Sequence, residues 1–353
     1  MSYLLDLNQL KIGDIILESG NSKFSWWIKY GTKSQYSHAM IYVGNSIIHA
    51  LTDGVYTENP QRIIVDSINN LKVLRLIENN NDVASKAVQN ARYLIGSLYS
   101  KKEAVLSVAI NKTKRNKLSS SQFCSRLVSQ VYYKAGISLV NNIDYCTPED
   151  INNSILLKEV TCSVRKAREI DIIVANSYNP IKENQRRTFK YLNKCRDLFK
   201  KRDIIIQSQN DVASELVDNR DLDTTVCRYM IDSQYLDHYD TDKKLHPYKY
   251  NIKKFIDKIN ESRTPLDEVL VGELNNEVQY ILPIRIKNYN LNKQNYINLN
   301  LQYFKLLMEL NKNLLILLQE RIQVYYQLSL QIKQNDISQK CHAILLYIKE
   351  TID

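Results

Sequence analysis

Glycine is spread so unevenly along this chain that it constrains the fold before any other feature does. Seven of the eight glycines (13, 20, 31, 44, 54, 96 and 136) fall in the first 136 residues, and only Gly272 follows. Glycine supplies the positive backbone angles that tight turns need, so the front of the chain can reverse often and the back cannot. Short strands joined by turns are expected first, long helices afterwards. At 353 residues, 44% hydrophobic and 24% charged, the chain has globular composition and length for two ordinary domains.

The local patterns agree with that division. Residues 11–17, 54–58 and 71–76 read as strands, and 38–50 as a hairpin turning at Gly44-Asn45. Helical spacing begins near Asn81, with Asn81 or Asp82 as N-cap and Ala84, Val88, Ala91 and Ile95 on one face. A second helix is expected over 122–135, with Phe123, Leu127, Val128, Val131, Tyr132 and Ala135 as its apolar stripe. Ser119-Ser120-Ser121 would cap its start and Gly136 its end. Trp26 and Trp27 read as core, and 112–117 as a solvated basic loop. The linker candidate is 176–180, although 170–174 still reads as a strand of the front domain. Helices are expected at 187–206, 210–217, 250–259, 298–333 and 341–352. The expected organisation is an α+β domain at 1–175 and a mainly helical domain at 176–353.

Composition narrows the partners. Residues 1–165 hold 19 Lys/Arg against 13 Asp/Glu and the remainder 29 against 25, so the net charge of +10 is not concentrated in a nucleic-acid-binding module. Cysteines 124, 146, 162, 195, 227 and 341 show no CxxC spacing, which argues against a disulfide scaffold or a zinc site. No transmembrane segment is expected, since the run 314–318 is too short to cross a bilayer. No secretory signal is read at the start, giving the expectation of a cytoplasmic protein or one exported without a signal peptide. The C-terminal helices offer a face for a protein partner or for self-association.

The chemistry lies in two stretches. With Gly44-Asn45 as a two-residue turn, paired positions of the hairpin sum to 89, so His38, Met40, His49 and Leu51 share one face. The two imidazoles then become diagonal neighbours. A three-residue loop would put them on opposite faces. Cys124, in turn, falls in the first turn of the second helix, on its buried stripe. Unpaired amides and the positive end of the helix dipole there favour a thiolate. A thiol beside an imidazole that can move its proton is what nucleophilic acyl chemistry needs.

Gly13-Asp14-Ile15-Ile16, then Tyr36-Ser37-His38-Ala39-Met40-Ile41-Tyr42-Val43-Gly44, Ile48-His49-Ala50, and Phe123-Cys124-Ser125-Arg126-Leu127-Val128 with Tyr132 and Gly136 resemble the circularly permuted branch of the NlpC/p60 papain-like superfamily. The pattern is similar to the YiiX/YebB-like amidases, and Thr147-Pro148-Glu149-Asp150 extends the likeness. Lecithin retinol acyltransferase-like proteins share the His-before-Cys order. The resemblance covers roughly residues 8–165 and implies a permuted papain-like fold, an antiparallel sheet with packed helices. It implies Cys124 as nucleophile, His38 as base and His49 as the residue orienting it, with no cofactor and no metal. Tyr36 is a candidate oxyanion ligand and equally a packed core residue. The third position is often a carboxylate in YiiX-like members; histidine is closer to the acyltransferase pattern.

The expected activity is thiol-dependent hydrolysis of an amide, in a peptide or peptidoglycan-type substrate, through an acyl-enzyme on Cys124. The alternatives are a lipid acyltransferase or acyl hydrolase using the same triad, and a non-catalytic adaptor. An activated nucleophile should outpace the other five thiols towards electrophiles, and rate against pH should show a limb from the thiol–imidazole pair.

Overall fold

The computed structural model describes residues 1–19, 35–51, 54–78, 80–98, 123–262 and 265–353. The sequence readings at Trp26, Trp27, Ser119, Ser120, Ser121, Gln122 and the basic loop 112–117 lie outside these. The chain forms two compact units, Met1–Asp211 and Val212–Asp353.

The first unit is α+β. Strands β1 (Tyr3–Leu5), β2 (Ile15–Glu18), β3 (His38–Tyr42), β4 (Ile47–Leu51), β5 (Gly54–Glu58), β6 (Leu71–Leu76), β7 (Leu157–Glu159) and β8 (Val164–Lys166) are all antiparallel. They form a six-stranded sheet in the order β5-β4-β3-β2-β6-β7 and a β1-β8 ribbon. Alternation along the strands sends Ile15, Leu17, Ala39 and Ile41 to one face and Ile16, Met40 and Tyr42 to the other. The first face is covered by α1 (Asn81–Tyr93), through Val83, Ala87, Val88 and Ala91, and by α2 (Cys124–Lys134), through Leu127, Val128, Val131 and Tyr132. The N-cap of α1 is Asn80, one residue before the expected position, because its side chain accepts the Val83 amide at 3.2 Å. Gly136, at φ +100°, ends α2 as expected.

One turn ties these layers together. Gly13 stands at φ +89°, and a Cβ there would lie 2.7 Å from the Ala84 Cβ of α1. The Gly13 carbonyl accepts the buried Tyr132 hydroxyl of α2, and its amide donates to Tyr42 O at 2.9 Å. Asp14, also buried, accepts Arg75 Nε at 2.6 Å, Arg75 Nη2 at 2.7 Å and the Lys11 amide at 2.7 Å. A buried carboxylate with a fork of guanidinium donors is stable only while the fork is present.

Two expectations are corrected here. Residues 170–174 are not a strand but part of α4 (Glu169–Asn176), which follows α3 (Pro148–Asn152). Asp171 sits three residues inside its start and takes the Arg168 amide at 2.9 Å, which favours helix over the β-propensity of the isoleucines. The segment 176–180 also fails to separate the units, whose division lies at Asp211, not at residue 175. Asn179 donates to Glu58 at 3.0 Å and caps α5 (Pro180–Lys200), whose Gln185 reaches Thr57 O at 2.6 Å and whose Phe189 stacks on Tyr56.

After α6 (Gln209–Asp218), which runs across the division, the second unit holds α7 (Asp223–Asp232), α8 (Thr241–Leu245), α9 (Ile252–Ser262), α10 (Leu266–Asn276), α11 (Leu282–Leu299), α12 (Gln302–Gln331) and α13 (Asn335–Ile352). The long helix expected over 298–333 begins only at Gln302. Asn300 adopts the left-handed conformation (φ 50°) and closes α11 before Asp223 caps α12 through the Gln302 and Tyr303 amides at 2.6 and 2.9 Å. Helix α10 and the π-turn Glu277–Ile281 are not foreseen by the periodicity. Among the described residues no helix is long and apolar enough to cross a membrane.

Removing the guanidinium fork by Arg75→Met should lower the unfolding free energy by roughly 3 kcal/mol, read from urea denaturation, because Asp14 stays buried without its counter-ion.

Candidate active site

The hairpin register is the one its turn dictates. Ile41 pairs with Ile48 and Tyr42 with Ile47, and the Val43 amide donates to Ser46 O at 2.8 Å. His38 and His49 consequently meet. His38 Nε2 lies 3.0 Å from His49 Nδ1, with ring centroids 5.2 Å apart and planes at 61°. One ring donates and the other accepts. With the hydrogen on His38 Nε2, the lone pair of His38 Nδ1 is left for a second partner.

Cys124 opens α2. Its N-cap is Phe123, extended at φ −134°, ψ 166° and making no side-chain cap bond, in place of the expected serine cap. The amides of Cys124 and Ser125 lie beside the sulfur instead. On the strand side the Ala39 amide bonds to the same sulfur, and Cys124 Sγ lies 4.0 Å from Ser37 O. Ser37 and Ala39 flank His38, so the helix end is fastened to the strand on either side of the imidazole-bearing residue. Among the described residues no hydrogen bond joins the sulfur to either ring.

Burial sets the charge state. It pushes the Cys124 thiol above its usual range, outweighing the nearby amides that favour the thiolate. It lowers His38 to about 4, and burial together with the nearby His38 charge lowers His49 to about 3. At neutral pH the thiol and both imidazoles are therefore uncharged. The helix end expected to favour a thiolate is overruled by desolvation.

Tyr36 is buried in the core between sheet and helices, and its hydroxyl is raised first by burial, then by the charges of Glu159 and Glu149. It therefore remains a protonated donor. One neighbour escaped the sequence reading. Ser125 Oγ donates to Cys146 O at 2.6 Å, Ser129 Oγ donates to Arg126 O at 3.0 Å, and burial pushes the Cys146 thiol up to about 12. The available signal was the pair Ser125 and Ser129, one helical turn apart on a buried face, where hydroxyls need partners. Cys162 is exposed and the other cysteines are buried. Thr147-Pro148-Glu149-Asp150 forms a capping box at the head of α3, with Asp150 N to Thr147 Oγ1 at 3.1 Å and Thr147 N to Asp150 Oδ2 at 2.8 Å.

Residues 9–154 match the family model of permuted papain-like amidase enzymes of the YaeF/YiiX type, family C92. The match bears out the resemblance read from the motif blocks and points to cysteine-dependent amide hydrolysis by the region that carries Tyr36, His38, His49 and Cys124. Among solved structures, that of the metalloprotein YiiX from Escherichia coli O157:H7 is similar at 19% identity. The alignment covers 43% of this chain and 97% of that one, with a TM-score of 0.33. No curated protein matches the chain.

Both imidazoles have folded-state pKa values below 6.5, so the unfolded chain takes up protons that the folded one refuses, and stability falls as the pH drops from about 6.5 towards 4. The loss attributable to His38 should be on the order of 3 kcal/mol. It should appear as the difference between the native chain and a His38→Gln/His49→Gln variant in urea unfolding at pH 7 and pH 4. Towards iodoacetamide, exposed Cys162 should react before Cys124, in contrast to the order expected for an open, ionised nucleophile.

Proposed function

We propose that this match, to permuted papain-like amidases, extends to the reaction itself: hydrolysis of an amide through an acyl-enzyme on Cys124, with His38 as base and His49 orienting it. The observation that carries this reading is the 3.0 Å bond between His38 Nε2 and His49 Nδ1, made beside a strand backbone that holds the Cys124 sulfur. That bond fixes the ring and leaves its other nitrogen without a hydrogen bond among the described residues, so in this reading the contact with the thiol forms as substrate binds.

In this mechanism the thiol proton passes to His38 Nδ1 as sulfur attacks the substrate carbonyl. The imidazolium so formed keeps its hydrogen bond to the neutral His49. The carbonyl oxygen becomes an oxyanion beside the amides at the head of α2, with Tyr36 as a further donor. The imidazolium protonates the leaving amine, and water, deprotonated by the same ring, then releases the acyl group. Because thiol and imidazole start uncharged, the transfer occurs during attack and not beforehand.

The substrate is a peptide or a peptidoglycan-type amide. A second reading, acyl transfer from lipid, is favoured by one feature, a histidine at the third position. The catalytic region is assigned to the first unit, Met1–Asp211, and the second unit, Val212–Asp353, to partner binding or self-association. The acyl group found on Cys124 by mass spectrometry separates the readings: a peptidyl adduct supports the amidase, a fatty acyl adduct the lipid enzyme.

Cys124→Ala should abolish turnover. His49→Ala should lower kcat/KM by about 100-fold while the chain still binds substrate, because an orienting residue acts through the base. The acid limb of kcat/KM against pH should lie below the usual imidazole range, towards 4, and belongs to the coupled His38–His49 pair and the thiol and not to one ring. A limb near 6.5 would count against the paired imidazoles as the base.

A further inference from the structure

Helix α4 presents aliphatic side chains to solvent on a framework that holds them rigidly. Ile170, Ile173 and Val174 lie at i, i+3 and i+4, and Ile170 and Ile173 are 54% and 58% exposed. Tyr178, just beyond the helix, is exposed as well. Both ends of the helix are clamped. At the start, Asp171 accepts Arg165 Nη1 at 2.7 Å and Arg168 Nε at 3.0 Å. At the end, Arg62 donates to Ala175 O at 3.0 Å, Ser177 O at 2.8 Å and Tyr178 O at 2.8 Å. The apolar stripe is therefore held outward and cannot fold back into the core.

Cations outnumber acids around the stripe. Between positions 164 and 187 there are six Lys/Arg (165, 166, 168, 182, 186, 187) and three Asp/Glu (169, 171, 183). Asp171 is only 6% exposed beneath its arginines, whereas Arg168 is 70% exposed. Glu183 is likewise held by Arg186 and Arg187, at 2.8 and 3.0 Å. Lys166 and Lys182 are exposed and make no ion pair among the described residues. Glu169 is exposed, but so are Lys166, Arg168, Lys182 and Arg186, so cations outnumber acids on the surface around the apolar centre and the rim is net positive.

We propose that this face docks on an anionic lipid surface, with Ile170, Ile173, Val174 and Tyr178 entering the interface and the basic rim contacting the headgroups. A surface of that kind supplies both complements at once, hydrocarbon for the stripe and negative charge for the rim. A nucleic acid would meet the rim but leave the aliphatic stripe in water.

The test is co-sedimentation of the full chain with vesicles of phosphatidylcholine alone and of phosphatidylcholine with phosphatidylglycerol. Binding to the anionic vesicles should exceed binding to the neutral ones and weaken with salt. Ile170→Ser/Ile173→Ser should reduce it by about tenfold or more, and Lys166→Glu/Lys182→Glu should reduce it while leaving the stripe intact. The substituted residues are exposed, and an unchanged unfolding midpoint would certify the fold of each variant. Failure to bind anionic vesicles would overturn the proposal, as would binding that survives Ile170→Ser/Ile173→Ser. A dimer in sedimentation velocity that the same double variant dissolves would assign the stripe to a second copy of the chain instead. None of these outcomes depends on the catalytic reading, since Cys124→Ala should bind vesicles like the native chain.

Discussion

The Gly13–Asp14 turn is the constraint on which the first unit depends. Its two residues reach β3 through Tyr42, β6 through Arg75, α1 through Ala84 and α2 through Tyr132. Strands and helices meet there at separations that leave no space for a side chain at residue 13, and with a buried carboxylate at residue 14 that is paired with Arg75. The placement of α2 over the sheet, and hence of the sulfur at its head, follows from that joint. This gives a physical reason for a Gly-Asp pair to stand far in sequence from any residue with chemistry to perform.

Desolvation governs the site once the scaffold is set. A cysteine at a helix start gains from free amides, and here it also gains one amide from a strand, yet burial keeps the proton on sulfur. The imidazoles are driven in the opposite direction by the same cause, towards their neutral forms. A site so arranged holds no standing ion pair in the absence of substrate. In the proposed reaction, charge separation is confined to the moment of attack, beside the amides at the head of α2.

Much of this was legible in the sequence, for reasons that differ by element. The hairpin register followed from parity: a two-residue turn admits one pairing, and that pairing puts both imidazoles on one side. Helix α2 was legible from its stripe and from Gly136, whose backbone angle only glycine adopts cheaply. The isoleucines of α4 misled because β-branched residues favour strands in isolation, while the capping action of Asp171 depends on arginines whose positions only the tertiary structure fixes. The break at Asn300 was hidden because apolar spacing continues across it, and a single left-handed residue leaves no periodic trace. Desolvation at Cys124 was invisible for a similar reason, since spacing reveals which side a residue faces but not how completely that side is closed.

The order of elements along the chain bears on its biosynthesis. Cys124 follows His49 by 75 positions. At ribosomal speeds of about 5–20 residues per second, the ribbon bearing both rings leaves the exit tunnel roughly 4–15 s before the cysteine does. A nascent chain thus passes through an interval in which the rings can find each other while no sulfur has arrived. The growing polypeptide does not carry all three residues of the proposed site until the helix that also closes its core has been made.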